Sequence, residues 1–172
     1  MKVKDIMIAA PRVCGPHTSL AEAAALMLDA DCGILPVVDE HGRLCGVVTD
    51  RDMFVALATR DTRASQLTVG EVARSTVFTC GPDDDVHAAL ETMKQHRVRR
   101  LPVEGFNGAV AGIVSMNDMV LAAGARSAAL SLRRLTGSAG TLGSVAAFDQ
   151  VWPVDWASSA TRHRDVRPAP PR

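Results

Sequence analysis

An internal repeat constrains this chain more than any other feature. At an offset of 66 residues, with no gap, Val3 falls on Val69, Asp5 on Glu71, Cys14-Gly15-Pro16 on Cys80-Gly81-Pro82, Ala23 on Ala89 and Met27 on Met93. The register holds further on. Leu35-Pro36-Val37 falls on Leu101-Pro102-Val103, Gly42 on Gly108, Gly46 on Gly112, Val48 on Val114, Thr49 on Ser115 and Asp52-Met53 on Asp118-Met119. Turn residues and apolar residues that keep one register mark each copy as a supersecondary unit, so a reading of the fold starts from the repeat. At 172 residues, two half-size copies sharing one interface bury a core better than two independent domains of that size. The boundaries read 1–62 for the first copy, 63–68 for a linker, 69–125 for the second copy and 126–172 for a C-terminal helix and irregular, disordered tail.

Within each copy the local signals run in one order. A short amphipathic turn (Val3 to Met7, Val69 to Ala73) leads into an extended piece that ends at Cys-Gly-Pro. Ser19-Leu20-Ala21-Glu22 has the capping-box pattern, in which hydroxyl and carboxylate satisfy reciprocal amides at a helix start. The helix it opens continues to about Asp29; in the second copy Asp83 to Asp85 bring carboxylates to the same end and the helix runs to about His96. Two β-rich segments follow, Ile34 to Asp39 and Leu44 to Val48, joined by a turn closing on Gly42. Asn107-Gly108 is the stronger hairpin signal, because both residues tolerate positive φ. Helices are expected next from Asp50 to about Thr59 and from Asn117 to about Ala123, with a separate amphipathic helix from Arg126 to Leu135. Each unit is therefore strand, helix, strand, strand, helix, an α+β arrangement occurring twice.

Charge and cysteine content exclude several roles. Residues 1–124 carry 12 basic and 16 acidic side chains, a net of −4, while residues 125–172 carry 7 and 3, a net of +4. The repeated body is therefore no general nucleic-acid binder, and only the tail has a basic excess. Four cysteines without a Cys-x-x-Cys pair, and a start at Met1-Lys2-Val3-Lys4 with no secretory pattern, point to a reducing cytoplasm. No apolar run reaches the length of a membrane span. Aromatic residues are 3% of the chain, which leaves Ala, Val, Leu and Met to fill an aliphatic core.

The chemistry concentrates at Thr49-Asp50-Arg51-Asp52, where a strand ends and a helix opens. Free amides and the partial positive charge of a helix start attract an anion. The Thr49 hydroxyl, the Arg51 guanidinium and the Asp52 carboxylate suit a phosphorylated ribose, with Arg51 on phosphate and Asp52 accepting from the sugar. An ordinary helix cap uses the same residue types. The recurrence as Ser115-Met116-Asn117-Asp118 behind the same glycine-led apolar strand favours the ligand reading, because caps are loosely specified and this pattern keeps its flanks.

Gly46-Val47-Val48-Thr49-x-x-Asp52 and Gly112-Ile113-Val114-Ser115-x-x-Asp118, each preceded by an apolar-Pro-Val strand, resemble tandem cystathionine-beta-synthase (CBS) domains over residues 1 to about 124. The resemblance implies a pseudo-twofold pair of βαββα units packed sheet to sheet, the Bateman module, with two clefts that accept adenosine-containing ligands. It implies that Thr49 with Asp52, and Ser115 with Asp118, meet phosphate and ribose. Adenine would be held by backbone at Val13 and Cys14 or Thr79 and Cys80, and at Leu35-Pro36 or Leu101-Pro102. It further implies that Arg99 and Arg100, in a basic run where the first copy has Cys32-Gly33-Ile34, reach a phosphate; a solvated basic edge is the alternative. On that basis AMP, ADP or ATP is favoured over S-adenosylmethionine or NAD. The first site has Arg51 where the second has Asn117, so the two are not equivalent.

The resemblance also implies a regulatory role and not an enzyme, with a homodimer formed through helices such as Ala21 to Leu28 and Ala88 to Met93 and an unidentified protein target. A second reading stands beside it, a nucleotide-free scaffold whose basic tail, with Arg162, His163, Arg164 and Arg167, contacts a partner. Cys14-x-x-His17, with Cys80 and His87 partly equivalent, lacks the second pair that zinc spacing needs, so no metal is expected. No nucleophile-base arrangement, P-loop or GxGxxG is present.

Overall fold

In each half a two-stranded antiparallel hairpin is flanked by two helices. In this computed structural model residues 1–136 are described, with side chains to Ser127. The expected tail beyond Thr136, including Trp152 to Trp156 and the arginines of the scaffold reading, lies outside the described residues. The elements in order are β1 (Ile8–Ala9), α1 (Leu20–Asp29), β2 (Ile34–Val38), β3 (Leu44–Thr49), α2 (Asp50–Arg60), α3 (Val86–His96), β4 (Arg100–Glu104), β5 (Val110–Ser115) and α4 (Met116–Thr136). Short 3-10 turns at Val3–Asp5 and Val69–Glu71 lead the two halves.

Local chemistry accounts for most of these boundaries. The capping box at α1 is formed, with Ser19 N donating to Glu22 Oε2 at 2.9 Å and Glu22 N donating to Ser19 Oγ at 3.2 Å. Of the three aspartates before α3 only Asp85 caps, accepting from His87 N at 2.9 Å. Asp84 instead accepts from Gly81 N, and Asp83 pairs with Lys4. The hairpin β2–β3 pairs Ile34 with Thr49 and Val37 with Gly46, and β4–β5 repeats that register with Arg100 opposite Ser115 and Val103 opposite Gly112. In the two hairpin turns positive φ falls on Gly42 (+74°), Asn107 (58°) and Gly108 (+78°), residues that bear it without a steric penalty or nearly so. One expectation is corrected. Gly124 does not end a helix, and α4 runs unbroken from Met116 to Thr136 where two helices were expected. A lone glycine costs a helix only about 1 kcal/mol relative to alanine, and no proline lies in the span.

The two halves exchange their leading segments. β1 precedes the first hairpin in the chain but pairs with β5 of the second half, Ile8 opposite Ile113 and Ala9 opposite Gly112. At the equivalent place Arg74 bridges Val47 of β3, with backbone bonds of 2.9 and 3.1 Å. Hydrogen bonds repeat under the same exchange. Val3 N donates to Asp84 O as Val69 N does to Thr18 O, and Val86 N to Met1 O as Leu20 N does to Leu67 O. The glycines of the motif make room for this crossing. A Cβ on Gly112 would meet Ile8 O at 2.9 Å, and one on Gly46 would meet Arg74 O at 3.2 Å.

The apolar cores follow the exchange. The first contains Leu20, Met27, Leu35, Val37, Val48 and Met53 together with Leu67 and Val69 from the lead of the second copy. The second contains Met93, Leu101, Val103, Val114 and Met119 together with Val3 from the lead of the first. Both cores are aliphatic, as the composition requires, and residues Met1–Ser131 form one compact unit.

Candidate functional site

Each motif sits where a strand hands over to a helix, beside the lead of the other copy. In the second half Ser115 N and Oγ both donate to Asp118 Oδ2, at 2.8 and 2.7 Å, and Asp118 N donates back to Ser115 Oγ at 3.2 Å. This closes a reciprocal cap at the start of α4. In the first half Thr49 Oγ1 donates to Asp52 Oδ2 at 2.7 Å and accepts from Asp52 N at 3.1 Å. The remaining oxygen is drawn elsewhere: Arg74 donates to Asp52 Oδ1 through Nε at 3.1 Å and through a terminal nitrogen at 2.8 Å. Burial pushes the Asp52 carboxyl up, but the hydrogen bonds from Arg74 and Thr49 and the guanidinium charge outweigh it and hold the group below the ordinary aspartate range.

The other residues singled out from sequence fall into three groups. Arg51 and Asn117 stand exposed in the first turns of α2 and α4. Arg100 lies across the ladder from Ser115, where cross-strand partners share a face, and it is exposed; the equivalent Ile34 opposite Thr49 is buried. Arg99 is also exposed, and its carbonyl accepts from Met116 N at 3.0 Å, which seats the start of α4 on β4.

The residues nominated for adenine are partly committed to the fold. Leu35 and Leu101 are fully buried core side chains, and Pro36 and Pro102 are buried beside them. Cys14 bridges Val37 in parallel, its N donating to Pro36 O and its O accepting from Val38 N; Cys80 makes the same pair of bonds to Pro102 and Glu104. Burial pushes both thiols up to about 11, so they are inert small core groups. Val13 is exposed and Thr79 half-buried.

Arg74 is the residue that motif reading missed. Its only signal was its place in the repeat, since the 66-residue offset sets it on Ile8, and nothing in the local sequence ties it to Asp52. Among the described residues a hollow lies elsewhere, between α1 and α2, with a volume of about 580 Å³ and a lining that includes Met27, Leu28, Met53, Phe54 and Leu57. Among the described residues no group of three or more His, Cys, Asp or Glu is placed to hold a metal ion.

Two βαββα-type halves with exchanged leads and a hydroxyl–carboxylate cap at the head of a helix in each define a tandem-repeat module. The CBS domain family model matches residues 3–59 and 69–124. Hypoxic response protein 1 of Mycobacterium tuberculosis is 34% identical over 116 residues, 67% of this chain and 80% of that protein. A crystal structure of Hypoxic Response Protein I, which holds two coordinated zinc ions, aligns with a TM-score of 0.64 over 70% of this chain and 98% of that one, at 30% identity. The CBS domain pair of protein MJ0100 in complex with 5′-methylthioadenosine and S-adenosyl-L-methionine aligns with a TM-score of 0.67 at 30% identity, over 73% of this chain and 98% of that one. CBSX2 in complex with AMP gives 0.63 at 27% identity, over 73% and 98%. The chain belongs to the CBS domain family, as a tandem pair. No helix among the described residues is long and apolar enough to cross a membrane.

Proposed function

We propose that this CBS pair is a regulatory module that binds a phosphate-bearing adenosine nucleotide, AMP, ADP or ATP, beside Thr49–Asp52 and Ser115–Asp118 and passes occupancy to a partner protein or to its own dimer. The observation that carries this is the Ser115–Asp118 cap. Asp118 Oδ2 takes both Ser115 donors, while Oδ1 accepts from none of the described residues and is left for a sugar hydroxyl. Arg100 of β4, exposed on the same face of the β4–β5 hairpin as Ser115, supplies a cation for phosphate. Adenosine-containing ligands in the MJ0100 and CBSX2 structures support the ligand class. No catalytic role is proposed.

A homodimer through the helices is part of the same reading. Phe54 and Val55 on α2, and Val120 and Leu121 at the same repeat positions on α4, are exposed apolar side chains, as is Leu28 on α1. Exposed apolar side chains at matched positions of two helices suit a surface that a second copy covers. The nucleotide reading is tested by calorimetric titration with AMP, ADP, ATP, S-adenosylmethionine and NAD. Asp118→Ala is expected to weaken nucleotide binding by about 1 to 3 kcal/mol, the scale of lost hydrogen bonds to a charged group. Unchanged affinity in the folded variant would count against the assignment.

A further inference from the structure

The two carboxylates of the motifs are related by the repeat but differ in which oxygen remains able to accept. A carboxylate oxygen takes about two hydrogen bonds. Asp52 Oδ1 already receives two, both from Arg74, and Oδ2 receives the Thr49 hydroxyl. Asp118 Oδ2 receives both of its bonds from Ser115, and Oδ1 receives none from the described residues. The difference comes from one position. Arg74 and Ile8 occupy equivalent places in the two exchanged leads, each paired to the strand before a motif, Arg74 to Val47 and Ile8 to Ile113. The Ile8 side chain has no donor to offer.

Exposure says which partner can move. The Arg74 side chain is 69% exposed and the Asp52 side chain 13%. The guanidinium can swing into water with its hydration intact, whereas the carboxylate is held by the strand-to-helix junction. The closure is therefore one that a competing hydroxyl can open. Arg74 remains joined to β3 by its backbone whichever way its side chain points.

We propose that Arg74 is a latch on the first cleft: it occupies the Asp52 oxygen that a ribose diol would need, so the second cleft fills first and the first fills only when the Arg74–Asp52 pair opens. This rests on the nucleotide-binding reading above and adds regulation to it. The latch makes the module graded, with one nucleotide bound at low concentration and a second at higher concentration.

The test is calorimetric titration of the full chain with adenosine, which carries the diol without phosphate charge, and with AMP. The wild type is compared with Arg74→Ile, which copies the second half, and Ile8→Arg, which copies the first. Asp118→Ala isolates the first cleft. In that background Arg74→Ile is expected to tighten adenosine binding about fivefold, the scale of a mostly exposed ion pair. Ile8→Arg is expected to weaken the tighter site of the otherwise unchanged chain by a similar factor. Raising salt should strengthen adenosine binding at the first cleft only while Arg74 is present. A first cleft that is unchanged or weaker in Arg74→Ile, or a tighter site indifferent to Ile8→Arg, overturns the latch while the nucleotide reading stands. A wild-type chain that binds neither ligand, or a tighter site untouched by Asp118→Ala, overturns the nucleotide reading itself and the latch with it.

Discussion

The exchange of leads can be tested at Gly112. An alanine there would put its Cβ 2.6 Å from Met7 Sδ, 3.1 Å from Met7 Cγ and 2.9 Å from Ile8 O. The methionine is flexible and can turn aside, but the Ile8 carbonyl belongs to the β1–β5 ladder, so either β1 shifts or the pairing opens. Overpacking of this kind costs about 1 to 3 kcal/mol. Against it stands a gain of about 0.4 to 1 kcal/mol, because alanine narrows the unfolded ensemble where the native φ suits it. The net is a destabilisation of roughly 0 to 2.6 kcal/mol, towards the upper part of that range because the 2.9 Å contact is with backbone. Gly46→Ala is the internal control. Its nearest clash, Arg74 O at 3.2 Å, is relieved by a few tenths of an ångström, so the same gain nearly cancels the cost. Urea unfolding of the two variants and the wild type, followed by far-ultraviolet dichroism, reads the difference as a shift in midpoint at constant slope. Gly112→Ala as stable as Gly46→Ala would refute the placement of the first lead on the second hairpin.

Further outcomes follow from packing and charge. Val3, two residues from the chain start, is fully buried in the second core. Val3→Ala should destabilise by about 1 to 2 kcal/mol in the same unfolding assay, where a solvated terminus would show no change. Glu22, Asp39, Asp52 and Glu71 are held below their ordinary carboxylate values; the amides and hydroxyls of Ser19 and Thr68 act on the glutamates, and Arg43 and Arg74 on the aspartates. A depressed carboxylate stabilises the fold above its unfolded pKa and loses that contribution as pH falls through the folded one. Stability should therefore hold near neutrality and fall below about pH 4.5, the ordinary glutamate value. Urea midpoints that rise between pH 4.5 and 3 would contradict this sign.

The duplication, the two hairpins, the helix starts and the position of each motif were legible in the sequence because they depend on neighbours a few residues apart. Ser19 and Glu22 meet across one helical turn, Gly42 and Asn107-Gly108 accept the φ their turns demand, and Thr49 and Ser115 reach the carboxylates three residues on. The length of α4 was not legible. Gly124 marks a weak point, and whether a helix continues through it is a balance of about 1 kcal/mol that packing and neighbouring residues decide.

What the chain determined alone is that there are two halves and where each carries its polar motif. Tertiary structure decided which half each leading segment serves. Val3 and Val69 have the same local pattern whichever core they enter, and only the pairing of Ile8 with Ile113 and of Arg74 with Val47 assigns them. That assignment brings the Arg74 guanidinium to a carboxylate 22 residues away in the chain and gives Asp118 no equivalent partner among the described residues. A charge acts through distance in space, so the inequality of two nearly identical motifs came from the crossing of the leads.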